Sequence, residues 1–144
     1  LHTQKILIAD DEASVRLLLE ATLASSTCRV LPAENGIVAL EMARRELPDL
    51  IILDWLMPGC TGPEVVEQLR SDPRTANIPI VLLTGMSQEQ DRIKALGAGV
   101  FAYVVKPFSP LKLLQLVQQL LNKRSDDHEQ RRGKATAPRV RQIA

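Results

Sequence analysis

The side chains best placed to do chemistry in this 144-residue chain are the acidic run Asp10-Asp11-Glu12, then Asp54, Thr84 and Lys106. Each comes directly after a short apolar run. Neither His nor Cys stands among them, so zinc is disfavoured. Three carboxylates with only oxygen donors make a hard site of the kind Mg2+ takes, keeping several waters of its own. A carboxylate beside Mg2+ can attack a phosphoryl group and form an aspartyl phosphate. Such a transfer asks the protein mainly for positioning and charge neutralisation. Lys106 offers a point charge for one phosphoryl oxygen, and Thr84 a hydrogen bond for another. Taken singly, each residue has a plainer reading: Asp10 or Asp11 as the N-cap of a helix, Thr84 as structural, Lys106 as a solvated loop lysine. The plainer readings weaken when all of them stand at matching positions.

Those positions are the ends of strands. Five runs, Lys5–Ala9, Cys28–Leu31, Leu50–Leu53, Pro79–Leu83 and Phe101–Val105, are rich in Ile, Val and Leu without polar alternation. Strands buried on both faces of a parallel sheet read this way. Helical spacing fills the gaps: Val15, Leu18, Leu19, Thr22 and Leu23; Ala39, Leu40 and Ala43; Val65, Val66 and Leu69; Ile93 and Leu96; Leu113, Leu114, Val117, Leu120 and Leu121. Leu111 and Leu116 lie beside the last of these faces and suggest an exposed partner surface. Ser109-Pro110 is an N-cap with proline at the first helical position. Pro48 and Pro73 come after the second and third helices, and Gly97 and Gly99 close the fourth. The pattern is an α/β fold, (βα)5, over residues 5–122. Right-handed crossovers and five strands favour the flavodoxin-like order 2-1-3-4-5, with helices on both faces of the sheet. In that order strands one and three are neighbours where the winding reverses, which is where open α/β sheets bind ligands.

Composition supports an ordinary globular domain, with 45% apolar and 24% charged residues. No apolar run is long enough for a membrane span. Cys28 and Cys60 stand far apart, which suits a reducing compartment; with no secretory signal ahead of the first strand, a cytoplasmic location is expected. The chain starts at Leu1 rather than Met, as a piece of a longer protein would. Residues 123–144 hold seven Lys/Arg against three Asp/Glu and no apolar face, so a domain over 1–122 and a basic tail or linker over 123–144 are expected.

The chain resembles the response-regulator receiver domains of two-component signalling, the CheY-like superfamily. The resemblance rests on Asp10-Asp11, Asp54-Trp55-Leu56-Met57-Pro58-Gly59, Leu83-Thr84-Gly85, Ala98-Gly99, and Tyr103 ahead of Lys106-Pro107-Phe108. It implies that Asp54 accepts a phosphoryl group from a histidine kinase or phosphotransfer protein. Asp10, Asp11, Asp54 and the backbone carbonyl of Leu56 would hold Mg2+. Thr84 and Lys106 would engage the phosphoryl group, Tyr103 would rotate inward as Thr84 shifts, and the Lys106–Pro107 peptide would be cis. The signal would leave through the fourth helix, fifth strand and fifth helix to a partner or output domain. Such a module is not a turnover enzyme.

Two departures from the family pattern stand out. Phe101-Ala102 replaces an acidic pair that many dimerising members carry before the tyrosine, which puts their charged dimer network in doubt here. Leu56 and Met86, two residues past Asp54 and Thr84, are apolar and cannot orient an attacking water, so slow loss of the phosphoryl group is expected. The alternatives are a Mg2+-dependent phosphatase or phosphotransferase with an aspartyl intermediate, a nucleotide or flavin binder, and a nucleic-acid binder acting through the basic tail. Dehalogenase-like phosphatases want Asp-x-Asp after the first strand, whereas the acids here are adjacent. A nucleotide binder needs a phosphate-cradling loop where Asp10-Asp11-Glu12 stands. The globular part itself offers nothing for nucleic acid.

Overall fold

The computed structural model describes residues 3–85, 100–130 and 141–143, the last three and 124–130 by backbone alone. Its strands are β1 (Gln4–Ala9), β2 (Cys28–Ala33), β3 (Leu50–Asp54), β4 (Ile80–Thr84), β5 (Val100–Val105) and β6 (Arg141–Ile143). They form one parallel sheet in the order β2-β1-β3-β4-β5-β6. The first five strands thus take the expected flavodoxin-like order 2-1-3-4-5. The described helices are α1 (Ala13–Leu23), α2 (Gly36–Glu46), α3 (Gly62–Ser71) and α4 (Pro110–Gln130). The helical segment expected around Ile93 and Leu96, with Gly97, Gly99 and Met86, lies outside the described residues, so α4 is the fifth helical segment of the sequence pattern.

The sheet separates two cores because its side chains alternate between faces. In β3, Ile51 and Leu53 join Ala39 and Ala43 of α2 and Val65, Val66 and Leu69 of α3. Leu50 and Ile52 join Leu19 and Leu23 of α1 and Leu113, Val117 and Leu120 of α4 on the other side. Every residue of β3 is buried, as a strand covered on both faces requires. Removing one such Leu or Ile to Ala costs about 2–5 kcal/mol in comparable cores.

Three details differ from the periodicity. Leu18 of α1 is exposed, because the buried stripe narrows to Leu19 and Leu23 with Val15 partly covered. Leu116 of α4 is buried rather than part of an outer surface, while Leu111 is exposed. The helix also runs past the 122/123 boundary to Gln130, and Arg141–Ile143 adds a sixth strand beside β5, where the composition suggests a solvated linker. Lys, Arg, Glu and Gln propagate a helix well once it is nucleated, with or without an apolar stripe.

The signals at Ser109-Pro110 and before Pro48 hold. The Ser109 hydroxyl accepts the Lys112 N–H at 3.3 Å, with Pro110 opening α4. Leu47, just before Pro48, closes α2 in the left-handed region at φ 47°.

Candidate functional site

Main-chain hydrogen bonds continue past the strand ends on one edge of the sheet and fix the first residue of each connecting loop. The Asp10 N–H donates to the Ala33 carbonyl (3.2 Å), the Trp55 N–H to the Leu83 carbonyl (2.8 Å) and the Lys106 N–H to the Thr84 carbonyl (2.7 Å). The backbones leaving β1, β3 and β5 are therefore anchored to their neighbours. Side chains from four sequence regions meet there.

Asp10 is fully buried, and both its carboxylate oxygens are engaged. Oδ1 accepts the Glu12 N–H at 2.9 Å, and Oδ2 accepts a hydrogen bond from Lys106 Nζ at 2.8 Å. The N-cap position of α1 is held by Glu12, which makes no side-chain capping bond. Asp10 therefore braces the turn ahead of α1 without capping the helix. Asp54 is buried with its Oδ1 at 3.4 Å from Lys106 Nζ, and the Glu12 carboxylate lies at 3.8 Å from the same ammonium. Asp11 is exposed and leaves one side of the cluster open to water. Thr84 is buried at the end of β4, and Tyr103 is buried in the same core cluster as residues of α2 and α3. Leu56 lies in the loop after β3 with its side chain 60% exposed. The Lys106–Pro107 peptide is cis.

One lysine faces too many carboxylates. Burial first, then the charge of Asp10, pushes the Asp54 carboxyl up to about 7, although Lys106 pulls it down. Burial alone would lower the Lys106 ammonium, but the hydrogen bond to Asp10 and the charges of Asp54, Asp10 and Glu12 outweigh it and leave its pKa raised. The site thus carries an excess of negative charge that a divalent cation would offset.

Oxygens of Asp10, Asp11 and Asp54 lie within 4.8 Å of one another. An octahedral shell with bonds of about 2.1 Å has neighbouring oxygens roughly 3 Å apart and opposite ones roughly 4 Å apart. All the donors are oxygen, one side is open to water and the carboxylates outnumber the one lysine, so the residues fit Mg2+ in chemistry and charge.

Four residues outside the expected set also hold the site. Arg16 Nη1 donates to the Asp10 carbonyl at 2.8 Å; its spacing of four from Glu12 on a helix is the available signal. Thr61 and Glu64 form a reciprocal capping box at the start of α3, legible as Thr-x-x-Glu. Gly62 packs against the backbone at the end of β3, where a Cβ would stand 2.7 Å from the Asp54 carbonyl oxygen and 3.0 Å from Trp55 Cα. Gly62→Ala is therefore expected to destabilise the fold by about 2 kcal/mol, measured by urea unfolding, because the obstructing atoms are main chain and cannot swing aside.

Residues 6–118 match the response regulator receiver domain family. The chain belongs to that family. This receiver domain is 40% identical over 141 residues to the response regulator PleD of Caulobacter vibrioides, covering 97% of this chain and 31% of PleD. It is 38% identical over 118 residues to the phosphate regulon transcriptional regulatory protein PhoB of Pseudomonas aeruginosa, covering 82% of this chain and 52% of PhoB. The chain thus spans about half or less of these relatives. Among solved structures, the receiver resembles the chemotaxis response regulator CheY4 of Vibrio cholerae, with a TM-score of 0.73 at 34% identity over 82% of this chain and 98% of that one. The Francisella response regulator 1452 receiver domain gives a TM-score of 0.75 at 26% identity, over 84% and 98%. Among the described residues, no helix is long and apolar enough to cross a membrane.

Proposed function

We propose that this receiver domain is a phosphorylation-controlled switch, with Asp54 as its phosphoacceptor. The supporting observation is the meeting of Asp10, Asp11 and Asp54 oxygens within 4.8 Å, with Lys106 Nζ at 3.4 Å from Asp54. A carboxylate oxygen of Asp54 attacks the phosphorus of a kinase or phosphotransfer-protein phosphohistidine. The P–N bond breaks, its electron pair stays on the imidazole, and the imidazole takes a proton from solvent. Bound to Asp10, Asp11, Asp54 and the Leu56 carbonyl, Mg2+ would supply charge neutralisation for the phosphoryl oxygens and favour the ionised Asp54. Lys106 trades part of its contact with Asp10 and Asp54 for a phosphoryl oxygen, and Thr84 donates its hydroxyl to another. A group carrying about −1.5 to −2 charges then holds Thr84 in its new place, and Tyr103 moves with it. The signal passes toward β5, α4 and the segment joining β4 to β5, for an output domain or separate partner. The two free cysteines are both buried, which is in keeping with a reducing cytoplasm; burial and the Glu64 charge push the Cys60 thiol up, away from reactivity.

The test is incubation with Mg2+ and acetyl phosphate, then intact mass. One phosphoryl adduct is expected, absent in Asp54→Ala and without Mg2+. With apolar Leu56 two residues past Asp54 and apolar Met86 two past Thr84 in the sequence, the adduct should outlast seconds. No adduct on the parent chain would overturn the reading. Continuous phosphate release at enzymatic rates would make the chain a phosphatase instead.

A further inference from the structure

Arg16 is a cation placed against a site whose carboxylates fit a cation. It stands half-buried in the first turns of α1. A fixed positive charge there works against a divalent ion. The bond that its Nη1 makes is to a main-chain carbonyl, that of Asp10, at 2.8 Å. That bond completes a set. The Asp10 N–H donates to the Ala33 carbonyl at 3.2 Å, its Oδ1 accepts the Glu12 N–H at 2.9 Å, and its Oδ2 accepts from Lys106 Nζ at 2.8 Å. The Asp10 carbonyl and the Asp11 N–H belong to one rigid peptide plane. Fixing the carbonyl therefore fixes how the chain enters Asp11, and the bond to the Glu12 N–H fixes how it leaves. Asp11 is the exposed member of the three carboxylates whose oxygens lie within 4.8 Å of one another. Without an ion these groups repel one another, and an exposed side chain free to turn moves toward water. The base of Arg16 is held in turn, because its own N–H donates to the Glu12 carbonyl at 3.1 Å as the first turn of α1 closes.

We propose, on the reading that Asp10, Asp11 and Asp54 hold Mg2+, that Arg16 is a positioning residue for the ion: it sets the Asp10–Asp11 peptide so that the exposed carboxylate stays beside the two buried ones. The preorganisation outweighs the repulsion of its charge. Charge and position therefore give opposite outcomes when Arg16 is replaced.

The experiment compares the parent, Arg16→Met and Arg16→Lys in the full chain at pH 8 and constant ionic strength. Methionine and lysine are both good helix formers, so α1 is kept. Mg2+ affinity is read from the rise in urea-unfolding free energy with Mg2+ concentration, each protein against its own value in EDTA. A change in stability alone leaves that rise untouched. Arg16→Met should raise the dissociation constant about tenfold, a usual loss when an outer-shell partner of a metal ligand is removed. Arg16→Lys keeps the charge and a donor but not the planar guanidinium, and should raise it about threefold. Adduct formation from acetyl phosphate should need correspondingly more Mg2+ for half its maximal rate. The maximal rate should stay within about twofold of the parent's, because a bound ion gathers Asp11 itself. An Arg16→Met dissociation constant equal to the parent's, or below it as loss of charge alone dictates, overturns the proposal. So does a lost maximal rate at an unchanged Mg2+ requirement, which would make Arg16 a support of the fold. If Arg16→Met gives no cooperative urea transition, Arg16→Lys decides, and parental affinity in it overturns the proposal. A parent that gains no stability from Mg2+ sinks the reading of the metal site itself, and the role of Arg16 with it.

Discussion

Lys106→Met is expected to slow formation of the acetyl phosphate adduct by about 100- to 1,000-fold at pH 8, the usual effect of losing one preorganised group that stabilises developing charge. Lys106 Nζ is 2.8 Å from one carboxylate oxygen of Asp10 and 3.4 Å from Asp54, so little movement is needed to reach an oxygen on a phosphorylated Asp54. The substitution should also cost stability. Asp10 is fully buried, and removing the cation from a buried pair leaves a charge with no counterpart; the penalty is typically about 3–5 kcal/mol. Lys106 keeps some solvent contact, so a loss of about 2 kcal/mol in urea unfolding is expected without divalent cation. Saturating Mg2+ should restore much of the stability without restoring the rate, because a metal on the three carboxylates neutralises Asp10 but does not replace the lysine's contact with the phosphoryl group. Adduct formation at the parent rate would remove Lys106 from the chemistry.

Asp54→Asn is expected to do the reverse to stability. The Asp54 carboxyl stands at about 7 in the fold against an ordinary 3.8. Between those two values the folded protein holds a proton that the unfolded chain has released, so rising pH favours unfolding across this window. Above pH 7 the whole penalty applies, up to about 4 kcal/mol from the size of the shift. Asparagine carries no such penalty at any pH. In EDTA the substitution should therefore raise the unfolding free energy by about 2 kcal/mol at pH 8, allowing for the lost Lys106 contact, and by almost nothing at pH 4. The ranking should invert with Mg2+, because the parent gains about 2.7 kcal/mol at a hundred times its dissociation constant and the variant gains less. Urea titrations at the two pH values, with and without Mg2+, read all four cases. An asparagine variant no more stable than the parent at pH 8 in EDTA would show that Asp54 is not under electrostatic stress.

How much of the molecule is legible in its sequence depends on how far each signal extends along the chain. The run Leu50–Leu53 has no polar alternation because both its faces are buried, and burial on both faces means helices above and below. In a parallel sheet Asp10, Asp54, Thr84 and Lys106 must share an edge, so the meeting of residues 96 positions apart is readable from their places at strand ends. The readings that fail concern single elements. Leu18 fits the helical period of α1 but falls just outside the stripe that the sheet covers. Leu116 widens the buried arc of α4. The stretch 123–130 has no apolar period to detect, yet it continues a helix already under way. Arg141–Ile143 is too short to show alternation, and nothing within it names the strand it joins. Gly62 is legible only after the fold is known, because its importance lies in what a methyl group would strike.

The sheet acts as a partition as well as a scaffold. Trp55, Met57, Cys60 and Tyr103 sit in the half-core under α2 and α3, while Leu19, Leu113 and Val117 sit across the plate with α1 and α4. The buried apolar residues of the two compartments form separate clusters on opposite faces of the strands. Repacking on one side is thus insulated from the other, and damage to the two halves should accumulate as independent increments. β3, like β1, β4 and β5, sends neighbouring residues into opposite compartments, so a shift of the strand that ends in Asp54 is registered in both at once.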